Sequence, residues 1–396
     1  MFSLWNVEIL ELPSRPWVTT FSGLSPEDFM KTIHISLMLA SLLLFNACSG
    51  LKLTLKNSSV QKPSNVALFF SVETKNNFPV PGLPPEAFRI YEDDKLISPY
   101  ESQQTILNPE MSVVHYTVLL LDLSASVTAS GALPNLVEAA SLFAERVSKN
   151  QNVAVYGFDG GAKLIPIVPT PTTNSSTIIK GLKQLDHIKI SDPSTNLNGA
   201  VVESINLIKG HIAKATQPLR FGTLVVFTDG TDQAHRVSED DMLKAIRESD
   251  INVFTIGVGG EISVDELKRM STLGNIQADN MAQVTTTFSQ VADLIAAASR
   301  KFYLLSYCSP SRAGTHTLRV EAISKEISGS LSQEFDAAGF GPSCMPDKKP
   351  IFKSTTVNMG EARIQVSNTP DEAKSQQPAQ ATTPAGNGSQ SINEAK

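Results

Sequence analysis

The stretch Val113-Val-His-Tyr-Thr-Val-Leu-Leu-Leu-Asp122-Leu-Ser124-Ala-Ser126 decides how this chain is read. From Val113 to Leu121 it is apolar except for His115, Tyr116 and Thr117. Such a run, with no regular alternation, is the pattern of a parallel strand buried on both faces. It ends in a carboxylate, Asp122, followed at alternate positions by two hydroxyls, Ser124 and Ser126. All three are hard oxygen donors on one side of a turn. That suits an ion such as Mg²⁺, which takes oxygen ligands and keeps several waters. By itself the spacing fits a polar loop capping the next helix equally well.

Two further segments extend the pattern. Ser194-Thr195-Asn196-Leu197 precedes a helical spacing that carries Val201, Ile205 and Ile208. Leu224-Val-Val-Phe-Thr-Asp229-Gly230 is a second apolar strand ending in a carboxylate and a glycine. The order D-x-S-x-S, loop threonine, strand-T-D-G resembles the von Willebrand factor type A (vWA) domain family, over about residues 114–300. The resemblance implies an α/β fold, a doubly wound, mostly parallel, Rossmann-like sheet. It also implies a metal-ion-dependent adhesion site (MIDAS) at Asp122, Ser124, Ser126, Thr195 and Asp229. The implied cofactor is a divalent cation, Mg²⁺ first, with Mn²⁺ or Ca²⁺ as alternatives. In the family one position on the ion stays open for an acidic side chain supplied by a partner protein.

Outside that region the pattern changes. In residues 48–111, Leu51-Lys-Leu-Thr-Leu55 and Phe88-Arg-Ile-Tyr-Glu92 alternate, Val66–Val72 reads as a further strand, and turn signals separate them. This is expected to be a small antiparallel β-sandwich. Strands return over residues 301–344, a length that rarely folds alone. They are expected to complete the sandwich, with the vWA domain at 112–300 inserted between its two halves. A rival reading makes them an extension of the vWA sheet. Residues 345–396 are polar, with a Gln/Ala/Thr/Pro/Ser-rich end, and are expected to be a disordered tail.

The amino-terminal region reads as export. Met30-Lys31 followed by the apolar run Ile33–Phe45 is too short to span a bilayer and fits a signal peptide over 30–47. Its end, Asn46-Ala47-Cys48-Ser49, resembles the lipobox of bacterial lipoproteins and makes Cys48 the candidate lipidation site. Phe45 and Asn46 depart from the usual lipobox residues. Residues 1–29 hold four acids against Arg15, the wrong sign for a leading export segment, so translation is expected to begin at Met30. Three cysteines occur in the chain; lipidation of Cys48 leaves an even pair, Cys308 and Cys344, free to form a disulfide outside the cytoplasm. Two unlinked thiols are the alternative. These features point to a lipid-anchored protein of the bacterial cell envelope, with Ser49 resembling the outer-membrane sorting pattern.

The composition excludes other classes. The net charge is −6 and no basic block appears, so nucleic acid is not an expected partner. No H-E-x-x-H, G-x-S-x-G or phosphate-binding glycine loop is present, and Gly257-Val-Gly-Gly260 lacks dinucleotide spacing. The chain is therefore not expected to be an enzyme. Ser191 and Asp192 read as loop solvation, Asp232 as a surface turn, Asp159 as a hairpin turn, and His115 as a packed strand histidine. The expected function is binding of a protein partner through the metal site at a cell envelope. The rivals are a scaffold whose metal only stiffens loops and, less favoured by the motifs, an envelope enzyme.

Overall fold

The computed structural model describes residues 50–129, 131 and 133–359. The signal peptide, Cys48, the upstream segment 1–29 and the end of the tail beyond 359 lie outside the described residues. Among the described residues no helix is long and apolar enough to cross a membrane.

The chain opens with β1 (Leu51–Gln61), β2 (Asn65–Thr74), β3 (Phe88–Glu92), β4 (Lys95–Ile97) and β5 (Thr105–Leu107). The central region then alternates strand and helix: β6 (Val113–Asp122), α1 (Ala125–Ala129), α2 (Leu133–Val147), β7 (Asn152–Phe158), β8 (Ile165–Thr172), α3 (Ser175–Leu182), α4 (Leu197–Lys214) and β9 (Leu219–Thr228). It continues with α5 (Glu239–Arg247), β10 (Asn252–Val258), α6 (Val264–Met270), β11 (Gly274–Ala278) and α7 (Val284–Arg300). The chain returns through β12 (Phe302–Cys308), β13 (Thr315–Ser324), β14 (Ile327–Asp336) and a short β15 (Thr355–Thr356).

The central strands form one sheet in the order β11-β10-β9-β6-β7-β8, with β15 added beside β9. Its pairings are parallel except for β8, which returns antiparallel to β7. The lack of alternation in β6 has a direct cause: both faces are buried. Leu119 and Leu121 pack beneath α2 and α7, against Phe143, Phe288 and Val291. Val118 and Leu120 pack beneath α4 to α6, against Val201, Ile205 and Leu267. The mostly parallel α/β sheet read from the sequence is thus the sheet observed, with helices on both faces.

Two antiparallel sheets, β1-β2-β12-β5 and β14-β13-β3-β4, face one another across a second core that holds Leu68, Phe70, Phe88, Ile90, Tyr303 and Val320. The strands after the α/β region therefore pair with those before it; β12 sits between β2 and β5. β2 and β12 are buried along nearly their whole length because each is sandwiched twice. Leu68, Phe70 and Tyr303 face the sandwich core, whereas Phe69, Phe302 and Leu304 face the α/β core, where Phe69 and Phe302 meet Phe221. Cys308 and Cys344 are joined by a disulfide, which ties the end of β12 to the segment after β14.

One boundary differs from the sequence reading. Residues 345–359 are not tail. β15 pairs in parallel with the start of β9, and Phe352, Val357 and Met359 are buried in the α/β core. The Asn57 amide donates to Lys353 O at 2.9 Å, and Met359 N donates to Asn252 Oδ1 at 3.0 Å. Three buried apolar side chains, mixed with exposed Met345 and Ile351 in a polar stretch, are too few to announce a core segment by periodicity. They hold because pre-formed surfaces of both modules receive them.

Candidate metal centre

Parallel sheets place their ligands beyond the carboxyl ends of the strands, where the strand order reverses. Here β6 is that point, with β7 on one side and β9 on the other. Asp122 is the last residue of β6, and Asp229 follows the last residue of β9.

Asp122 is fully buried. Its Oδ1 accepts from Ser124 N at 2.9 Å and its Oδ2 from Thr228 Oγ1 at 2.7 Å. The hydroxyls of Ser124 and Ser126 lie 3.0 Å apart, and Ser126 Oγ donates to Asp229 Oδ1 at 2.9 Å. These hydroxyls thus bond to one another and to a carboxylate across the sheet. Capping of α1 would not by itself require the link to Asp229, so the turn is an oxygen-lined site whatever it also does for the helix.

Thr195 is buried in the loop before α4. Ala125 N donates to Pro193 O at 3.0 Å, which ties this loop to the Ser124–Ser126 turn. On its other side Gln233 N and Ala234 N donate to Thr195 O at 2.8 and 3.0 Å. Thr195 is therefore clamped between the loops after β6 and β9, in the same loop cluster as the other four candidates.

Three carboxylates shape that cluster in ways the sequence did not announce. Asp159, at the end of β7, does more than turn a hairpin. Its Oδ2 accepts from Ser191 N, Ser191 Oγ and Asp192 N at 2.8, 2.9 and 3.1 Å, and its Oδ1 from Gly161 N at 2.7 Å. Burial disfavours its charge, but these four donors outweigh burial and hold its carboxyl below the usual range. Asp192 is not simply solvated; it accepts from Ser194 N and Ser194 Oγ and pairs with Arg236 at 3.2 Å. Asp232 is not a surface turn. Its side chain is 8% exposed and accepts from Asn198 N at 3.0 Å, at the start of α4. The usable signal was position: Asp159 follows the end of the strand beside β6, Asp192 precedes Thr195 by three residues, and Asp232 follows Asp229 by three. Thr228, which completes the hydrogen bonding of Asp122, was in the quoted T-D-G motif without a role. His115 is buried in β6, 2.8 Å from Thr223 Oγ1, and burial pushes its pKa down to about 3, so it stays neutral and packed.

Replacing Asp159 with asparagine puts an amide where backbone N–H groups now donate. The expected loss is about 2–3 kcal/mol of stability, read by urea unfolding, together with roughly tenfold weaker divalent-ion binding through displacement of the Thr195 loop. Because the folded carboxyl titrates below its unfolded value, this contribution is present above about pH 4 and disappears as pH falls through the lowered folded value. The wild type and variant should therefore converge in stability in acid.

The electrostatics fit a cation. Burial pushes Asp122 up to about 6, against the hydrogen bonds from Ser124 and Thr228, and the Asp229 charge adds to the rise. Asp229 is also raised, chiefly by burial and further by Glu261. No cationic side chain is hydrogen-bonded to Asp122 or Asp229 among the described residues. One buried and one half-buried carboxylate without counter-charge, joined by hydroxyls, match a hard divalent ion in charge and donor type. Among the described residues no three His, Cys, Asp or Glu side chains are grouped so as to hold a metal ion; the donors gathered here are two carboxylates and the Ser124 and Ser126 hydroxyls.

Comparison with known proteins agrees with this architecture. Residues 117–297 match the family model of the von Willebrand factor type A domain. No curated protein matches the chain. Among solved structures, proximal thread matrix protein 1 from the mussel byssus, with a zinc-occupied MIDAS motif, is 17% identical; the alignment covers 46% of this chain and 48% of that one, with a TM-score of 0.40. This chain thus spans about half the length of the mussel protein. A von Willebrand factor type A protein from Catenulispora acidiphila is 11% identical over 74% of this chain and 75% of that one, with a TM-score of 0.39. Manganese-loaded TRAP protein of Plasmodium vivax is 11% identical over 64% of this chain and 99% of that one, also with a TM-score of 0.39. The family match covers both strands that end in candidate ligands and the loop between them, so residues 117–297 carry a von Willebrand factor type A domain.

Proposed function

We propose that this protein captures a protein partner through a divalent cation held by Asp122, Ser124, Ser126, Thr195 and Asp229, from a lipid anchor at Cys48 on a bacterial envelope membrane. The observation that carries the reading is the hydrogen-bonded run from the Asp122 carboxylate through the Ser124 backbone N–H, then the Ser124 and Ser126 hydroxyls, to Asp229, at the switch point of the sheet. When bound there, a divalent ion supplies an electrophilic centre that attracts an external carboxylate. The chain's own residues set how strongly. Among the described residues two carboxylates belong to the hydrogen-bonded centre, and the other candidate donors are neutral hydroxyls. Thr228 and Ser124 N hold the Asp122 carboxylate in one orientation, and the Asp159 network holds the loop that carries Thr195. Pre-positioned donors of this kind lower the ordering cost of binding.

The exported reading rests on the apolar run before Cys48 and on the Cys308–Cys344 disulfide, which suits an oxidising compartment. The test is capture from envelope extract by the soluble protein lacking its first 48 residues, in Mg²⁺ and in EDTA, beside Asp229→Ala. Loss of the same captured protein in EDTA and in the variant is expected. Capture that survives both would leave the ion a loop-stiffening role only.

A further inference from the structure

Beside the candidate metal centre lies a recess of about 560 Å³. Its floor is apolar and buried: Leu197, Met242, Ile262 and Met270. Its rim carries Asp232, Glu239 and Glu266, and no lysine or arginine lines it among the described residues. Glu239 is balanced by Arg269 at 2.8 Å. Asp232 faces the His235 imidazole at 3.7 Å on the same rim and accepts from Asn198 N and His235 N, whereas Glu266 accepts from Ser263 N and has no lysine or arginine bonded to it among the described residues. The rim is therefore net negative over an apolar floor.

That pairing has a specific complement. A long aliphatic stem ending in a positive charge buries its methylenes and leaves its head among carboxylates. An apolar side chain would leave the rim unanswered, and an acidic one would be repelled by it.

The position of the recess fixes what else such a ligand must carry. Thr231 and Asp232 follow Asp229 by two and three residues, and Leu197 and Asn198 follow Thr195 by the same spacing. At the reach of an extended chain, the recess wall lies within roughly 7–11 Å of the ligand positions. In an extended partner segment, side chains two residues apart share a face and stand about 6.6 Å apart. We propose that the recess is a second recognition subsite, taking a lysine or arginine two residues from the partner's metal-binding carboxylate. This rests on the metal-bridged reading above and narrows its partner to segments of the form acid-x-base or base-x-acid.

The test uses the soluble protein, residues 49–396, in Mg²⁺, over two biosensor-immobilised peptides. One is Ser-Lys-Ser-Asp-Ser-Lys-Ser, which presents the base on both sides; the other carries glutamine in place of both lysines. Wild type is expected to bind the lysine peptide roughly five- to tenfold more tightly than the glutamine peptide. The double variant Glu239→Gln/Glu266→Gln is expected to bind both alike. Glutamine at 266 can still accept from Ser263 N at the start of α6, and an unchanged melting temperature checks the fold. Equal capture of the two peptides by wild type, including capture of neither, overturns the subsite. A lysine preference that persists in EDTA keeps the subsite and removes the metal reading, so the two failures are distinguishable.

Discussion

Asparagine in place of Asp122 is expected to make the metal-free protein more stable and, at the same time, to remove its response to Mg²⁺. The gain follows from burial. Asp122 has no exposed surface and its pKa is pushed up to about 6, so at pH 7 the folded state holds an ionised carboxylate that water would solvate better. A rise of about two units corresponds to about 3 kcal/mol of destabilisation. The sign gives the pH window: a raised folded value means that the metal-free wild type loses stability as pH rises from the unfolded value near 4 through about 6. The Asp122→Asn variant lacks this slope. Its hydrogen bonds can be completed, because the oxygen of the introduced amide would accept from Ser124 N and its NH₂ would donate to Thr228 Oγ1. That hydroxyl has one proton, which then goes to Gly230 O, already 2.9 Å away. In EDTA the variant should melt above wild type. With Mg²⁺ at a hundredfold excess over its dissociation constant, wild type gains about 2.7 kcal/mol, whereas the variant should gain nothing. Calorimetric titration with Mg²⁺ that still shows heat for the variant would remove Asp122 from the ligand set.

The second large effect lies at the far end of the sheet, where the modules meet. Lys301, between α7 and β12, has no exposed surface and donates to Glu73 Oε1 and to Met359 O at 2.5 and 2.6 Å. Its pKa is lowered, first by burial, with the Glu73 hydrogen bond and charge opposing that shift. Such a pair adds little net stability, because desolvation of two ions offsets their attraction. Breaking it is another matter. Lys301→Met strands the Glu73 carboxylate, which is 7% exposed, and is expected to cost about 3–5 kcal/mol in urea unfolding. Lys301→Met combined with Glu73→Leu should recover most of that loss. A double variant as unstable as the single one would show that the lysine acts through Met359 O and the 345–359 segment instead of through the ion pair.

The two effects probe opposite ends of one sheet, and the sequence was informative about them to different degrees. The β6 run was legible because a strand covered on both faces must be apolar throughout, and a carboxylate that ends such a run is conspicuous. The same logic located β9, and the spacing of Val201, Ile205 and Ile208 located the helix between them. Lys301 and Glu73 carried no such signal. They are separated by 228 residues, and no spacing along the chain pairs the one with the other. The segment 345–359 was misjudged for a related reason. Its few apolar residues gain their burial from surfaces built by distant strands.

Local chemistry by itself therefore determined the class of the fold, the strand ends that carry Asp122 and Asp229, and the hard, oxygen-only character of the donor set. Those properties depend on residue type and on periods of two or 3.6 along the chain. The tertiary structure alone decided which carboxylates serve the site directly and which serve it as supports. The sequence marked Asp229 as the end of an apolar strand but gave Asp159 no role beyond a turn. The structure shows Asp159 met by four donors from Gly161, Ser191 and Asp192, whereas the one side-chain donor to Asp229 is the Ser126 hydroxyl. A carboxylate saturated by N–H and O–H donors has no lone pairs left for an ion, and which donors arrive is fixed by packing between segments far apart in the chain.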